Sequence, residues 1–158
     1  VDRIRQAQDV LGMRIAIENA STYVAPPGAE MGEGEFISTI VREADCLLHL
    51  DVNNIYVNGC NFGFEPLAFL DALPLERTAY VHVAGHYVEP DGLVIDTHGA
   101  AVIDPVWSLL EAAYARIGGE VPTCLERDFN LPPLATLTAE VRHIARLQAA
   151  APALRKVA

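Results

Sequence analysis

CLLHLDVNN (46–54) decides the fold. Its apolar content is that of a strand covered on both faces. Yet it carries His49, Asp51 and Asn53 two residues apart, which in a strand puts all three on one face. Three further segments share this form. MRIAIEN (13–19) follows the turn residue Gly12 and reads as a buried strand ending in Glu18, with Asn19 behind it. TAYVHVAGH (78–86) carries His82 and, at its exit, His86 on one face, and PTCLERD (122–128) carries Glu126 and Asp128. Helical patterns alternate with these strands. EFISTIVREA (35–44) follows the loop APPGAEMGEG, and EPLAFLDAL (65–73) follows a loop rich in Gly and Asn. DPVWSLLEAAYARIG (104–118) follows the polar loop YVEPDGLVIDTHGAAV (87–102); Pro105 sits at a tolerated first-turn position and Gly118–Gly119 end the helix. A last helix runs from about Pro133 to Ala149, with Leu137, Val141, Ile144 and Leu147 on its apolar face.

Strands alternating with helices imply parallel βαβ connections and an α/β fold. A doubly wound sheet would show a glycine-rich phosphate turn after its first strand, but that position reads ENASTY, and the chain has no GxxxxGK[ST]. The alternative is a (β/α)8 barrel of the TIM type, of which residues 1–158, read as a single domain, supply about four βα units. The chain starts at Val1 inside what reads as the end of a helix, DRIRQAQDVLG (2–12), so the expectation is the C-terminal half of a longer barrel.

Barrel enzymes gather their reactive groups at the C-terminal strand ends. All four strands here end in metal-binding or proton-moving groups, and VIDTHG in the following loop adds Asp96 and His98. An unpaired carboxylate in an apolar strand costs several kcal/mol or is forced neutral. Only Arg127 stands next to these ends in sequence, which favours a metal as the partner of Glu18, Asp51, Asp96 and Glu126. Imidazole mixed with carboxylate, without a Cys pair, suits catalytic iron, manganese or zinc. Six or more candidate ligands exceed the needs of one open ion and suggest two or more ions. Some members have plainer readings. His82 reads as a hydrogen-bonded interior histidine and His143 as a surface residue. Asp128 could cap the next helix, pair with Arg127 or join the site. Asn53, Asn54 and Asn58 could hold a loop through Asx-type bonds, and Asn54 could also offer a carbonyl to a metal. Trp107 reads as helix-to-sheet packing.

Eleven Lys and Arg against 21 Asp and Glu leave a net charge of −10, which argues against a nucleic-acid partner. No apolar run has the length of a membrane span. Three cysteines at unpatterned spacing point to a reducing, cytoplasmic setting.

IENASTY, LDVNNIYVN, HVAGH, IDTHG, DPVW and LERDFN, in this order from about Gly12 to the last helix, resemble the multinuclear non-haem iron-dependent oxidative enzymes. That family, once called domain of unknown function 692, includes the iron subunit of methanobactin biosynthesis. The resemblance implies a (β/α)8 barrel of about twice this length. It also implies iron ligation by Glu18, Asp51, His86, Asp96, His98 and Glu126, with further histidine ligands from the barrel's other half. Glu18, Asp51 and His86 are the residues expected at the reacting centre, with Asn54, His82 and Asp128 around the cofactor. The chemistry implied is oxidation by O2 at two or three irons, acting on cysteines of a ribosomally made precursor peptide that a partner protein presents. Two alternatives differ in chemistry: a xylose-isomerase-like isomerase or hydrolase using Mn or Zn, and a non-catalytic half-barrel that binds metal. With two strand edges open, such a half could self-associate or pair with the missing N-terminal half.

Overall fold

The computed structural model describes residues 1–152. Helix α1 (Asp2–Leu11) ends at Gly12, whose φ of 68° allows its N–H to close back on Gln8 O. Strand β1 (Ala16–Glu18), helix α2 (Glu33–Glu43) and strand β2 (Leu47–Asp51) follow, and helix α3 (Val52–Phe62) begins directly at the end of β2. Helix α4 (Pro66–Ala72) and one 3-10 turn (Leu75–Arg77) lead into β3 (Thr78–Ala84). A short hairpin of β4 (Tyr87–Val88) and β5 (Val94–Ile95) precedes helix α5 (Asp104–Ile117), strand β6 (Thr123–Glu126) and helix α6 (Leu134–Ala150). Among the described residues no helix is long and apolar enough to cross a membrane.

The main sheet has the order β1-β2-β3-β6, with every neighbouring pair parallel. This order follows the chain without the reversal of a doubly wound sheet. The helices also lie on one face only. Ile17, Leu48, Leu50, Val81, Val83 and Leu125 point into a single apolar cluster, to which Ile4 of α1, Val41 of α2, Ile55 of α3, Leu70 of α4, Leu110 of α5 and Ile144 of α6 all contribute. Strand alternation sends the remaining side chains to the opposite face: Glu18, His49, Asp51, Tyr80, His82, Cys124 and Glu126. The result is a mixed α/β structure with a parallel four-stranded sheet, greasy on the helix side and polar on the other.

Several sequence-based boundaries change. The strand expected over 46–54 stops at Asp51, whose side chain accepts the Asn54 N–H and caps α3, so the expected Asn-rich loop is helix. The strand expected over 13–19 is only Ala16–Glu18; it is an edge strand in which Ala16 and Glu18 are exposed rather than buried. The strands expected over 78–86 and 122–128 shorten to Thr78–Ala84 and Thr123–Glu126. The polar stretch 87–102 contains the β4–β5 hairpin, turned at Gly92 with φ 94°. Val141 of α6 is 52% exposed and lies off that helix's packed stripe.

Candidate metal centre

The polar face gathers the expected groups because parallel register aligns the strand ends. Asp51 stands level with His82, and Ala84 stands level with Glu126. His82 Nδ1 lies 3.1 Å from Glu126 Oε2, 3.6 Å from Glu18 Oε1 and 3.9 Å from Asp51 Oδ2. His49 meets His82 edge to face at 4.0 Å between ring centroids. Ligand atoms of Glu18, His49 and His82 all fall within 4.8 Å of one another, as do those of Asp51, His82 and Glu126.

A second cluster adjoins the first. His98 Nε2 is 2.9 Å from Asp96 Oδ1, and its Nδ1 is 3.2 Å from Asp128 Oδ2 and 3.6 Å from Glu126 Oε2. Glu126 therefore touches histidines of both groups. The loop carrying Asp96 and His98 is pinned from several sides. Asn61 of α3 exchanges two hydrogen bonds with the Val94 backbone, at 2.8 and 2.9 Å. The Asp96 N–H donates to the Tyr23 hydroxyl at 3.0 Å, and the Asp128 N–H donates to His98 O at 3.0 Å. The loop also presses on the end of β3, since a Cβ on Gly85 would stand 2.1 Å from Ala100 O.

Among the described residues no arginine neutralises this face. Among the described residues, Glu18, Asp51, Asp96, Glu126 and Asp128 have only histidines within ion-pair distance. Arg127 instead bonds Glu140 of α6 at 3.0 Å, so it pairs with neither Asp128 nor a site carboxylate. Burial pushes the Asp51 carboxyl well above its ordinary range; its bond from Asn54 opposes this, while the charges of Asp96, Glu18 and Glu126 add to it. Glu126 is raised as well, again chiefly by burial and against the pull of His98. His82 is held below its usual value by burial and by neighbouring His49. Burial would lower His98 too, but Asp96 and Glu126 outweigh it and its value rises.

The fit to a metal can be judged from atoms left without partners. Asp51 Oδ2, His82 Nδ1, His49 Nε2 and His98 Nε2 are buried and lack a hydrogen bond of good geometry. Burying polar atoms without partners is costly; of the seven such atoms among the described residues, these four belong to the two clusters, and Asn54 Oδ1, Thr78 Oγ1 and Arg127 Nε lie outside them. Metal–ligand bonds of about 2.0–2.2 Å set ligands of one ion roughly 3–3.5 Å apart, close to the 3.1–3.9 Å found around His82 and the 2.9–3.6 Å around His98. These nitrogen and oxygen donors fit a transition metal.

Not every expected residue sits in this way. His82, expected to be a bonded interior histidine, lies in the middle of the carboxylates. His86 lies beyond β3 and puts Nδ1 2.8 Å from Asn53 Oδ1, and Asn53 Nδ2 donates to Asp96 Oδ1 at 2.7 Å. Asn54 leaves its buried Oδ1 unpartnered. Asn58 holds the chain after β1, donating to Ala20 O and accepting the Thr22 N–H. Asp128 pairs with His98 and does not cap α6, whose N-cap is Pro133, without a side-chain cap. His143 is half-buried against Trp107, 4.7 Å away across the α5–α6 contact, so Trp107 also packs helix to helix. Sequence reasoning missed Tyr23 and Asn61, which no spacing pattern marks. It also missed the reach of Asn19, whose amide bonds both the N–H and the C=O of Asp51 at 2.9 and 2.8 Å.

Comparison with known proteins gives the family of the chain. The chain is 57% identical over 148 residues to a UPF0276 protein of Nitrosospira multiformis, covering 94% of this chain and 52% of that protein. It is 58% identical over 147 residues to one of Neisseria meningitidis serogroup B, covering 92% and 52%. It is 51% identical over 154 residues to one of Shewanella sediminis, covering 98% and 55%. The chain thus spans about half the length of the curated relatives it matches. The profile of a family described as "RiPP precursor modification enzyme MbnB/TglH/ChrH" matches residues 1–149, and the chain belongs to that family.

Proposed function

We propose that this chain is the C-terminal half of a (β/α)8 barrel enzyme that uses two or three irons and O2 to modify cysteines in a ribosomally made precursor peptide. The observation that carries this reading is the pair of adjoining histidine–carboxylate clusters on the polar face, with buried donor atoms lacking partners and no lysine or arginine among the described residues to neutralise them. Membership of a peptide-modifying family supports the substrate class. Helices confined to one face, strands in chain order and relatives of twice the length support a barrel closed by an N-terminal half.

Glu18, Asp51, His86, Asp96, His98 and Glu126 would hold the ions together with His82, and His49 lies beside them. Bound iron would supply a seat for the cysteine thiolate and activate O2. The chain's own part is electrostatic. Its carboxylates would balance the cationic charge, Glu126 ties the two clusters together, the Asn19 bonds hold the Asp51 backbone, and the α3 cap fixes one Asp51 carboxylate oxygen while leaving the other free. The precursor peptide would reach this face with the help of a presenting partner protein, in the cytoplasm.

The test is metal analysis of the full-length protein purified without O2. The expected result is more than one iron per chain, with visible absorption that changes when a cysteine peptide is added. Asp96→Ala or His98→Ala should lower the iron content. Stoichiometric zinc or manganese, with no O2 consumed, would replace this reading with Lewis-acid chemistry; unchanged iron in both variants would remove the second cluster from the site.

A further inference from the structure

The two nitrogens of an imidazole are chemically distinct, and here the neighbours decide which one carries the proton. The Asp96 carboxylate can only accept, so the Asn53 atom 2.7 Å from its Oδ1 is the amide nitrogen. This orientation turns Asn53 Oδ1 toward His86 Nδ1 at 2.8 Å. An amide oxygen also only accepts, so Nδ1 carries the hydrogen. A neutral imidazole has one such hydrogen, which leaves Nε2 with its lone pair. Other contacts hold the arrangement still. Asn53 is fully buried in the first turn of α3, at 0% exposure, and Tyr56 of the same helix stacks on the His86 ring at 5.1 Å and 25°.

We infer that Asn53 is a positioning residue whose single amide sets His86 in the Nδ1–H tautomer and steadies Asp96, so that both offer lone pairs before any ion arrives. This rests on the metalloenzyme reading above but concerns a residue outside the ligand set. A metal-binding histidine commonly has its second nitrogen tied in this manner. The unusual element is that one side chain serves two candidate ligands from different segments, one at the end of β3 and one after the hairpin. Displacing α3 would therefore disturb both together.

The test is the imidazole 15N spectrum of the metal-free protein at the full length of its relatives, taken at a pH above the histidine range. Wild type should show His86 with a protonated Nδ1 and a bare Nε2. Asn53→Ala should give mixed tautomers and weaken Co(II) or Zn(II) binding by about 10–100-fold. Asn53→Asp can still accept from Nδ1–H but cannot donate to Asp96; it should keep the tautomer while losing metal affinity. A proton on His86 Nε2 in wild type, or an unchanged tautomer in Asn53→Ala, would overturn the inference. Should the alanine variant fail to fold, the wild-type spectrum alone still decides. Retention of the Nδ1–H tautomer in a protein that takes up no metal would uphold the inference while removing the metalloenzyme reading.

Discussion

Asp45 and Asp51 flank the two ends of the same strand, β2, and live in opposite electrostatic worlds. Asp45 is exposed and receives Arg77 at 2.6 Å and Arg14 at 2.5 Å, and those two bonds hold its carboxyl below the usual range. Asp51 is wholly buried and has no such partner among the described residues; burial drives its carboxyl well above that range. One end therefore uses a carboxylate as an ordinary surface staple. At the other end a carboxylate is kept dry, half-bonded and crowded by other acids, a placement that either protonation or a bound cation would relieve.

Replacing the frame between the two ends should have the largest effect. Leu50 lies midway, at 0% exposure against the helices, and Leu50→Ala is expected to cost about 3 kcal/mol in urea unfolding, with metal bound per folded molecule unchanged. His82→Ala comes next. Metal affinity should fall by more than the roughly 10–100-fold of a supporting residue, while the melting temperature of the metal-free protein hardly moves. The reverse pattern would make His82 an interior packing residue after all.

Asp51→Asn sharpens the contrast in the metal-free protein. A carboxyl raised by the fold favours its protonated form, so its destabilising effect grows as pH climbs from the ordinary aspartate range through the raised folded value. Asparagine can keep the cap to Asn54 without that charge, so the variant's melting temperature should gain on wild type as pH rises. A variant less stable than wild type at neutral pH would contradict the strain assigned to Asp51. The smallest effect belongs to Asp45→Asn. Its stabilisation is present above the unfolded aspartate pKa and lost as pH falls through the depressed folded value. Wild type and variant should thus melt apart slightly at neutral pH and together in acid, and salt should narrow the gap.

Much of this was readable from the chain. Carboxylates and imidazoles at the ends of apolar strands are conspicuous because water-loving groups are rarely placed there, so Glu18, Asp51 and Glu126 stand out in the sequence, with Asp96 and His98 two apart in the loop after the third strand. The surroundings of His82 were not legible along a single strand. His82 reads as an interior histidine from its own strand, while its neighbours Asp51 and Glu126 come from adjacent strands, and only the register reveals them. The start of α3 was hidden because Val52 favours strands and Asn53 and Asn54 are poor helix formers; the Asp51 cap and the packing of Ile55 and Val57 override those tendencies. The hairpin did carry a turn signal, Glu89-Pro90-Asp91-Gly92, overlooked because its strands are only two residues long.

His98 has a left-handed backbone, with φ 53°, where a side chain other than glycine typically costs about 1 kcal/mol. A glycine at this position would relax the loop and remove a donor in the same stroke. Breeding such a protein for heat tolerance alone would thus tend to erase this candidate ligand, and thermal screens ought to hold the position constant.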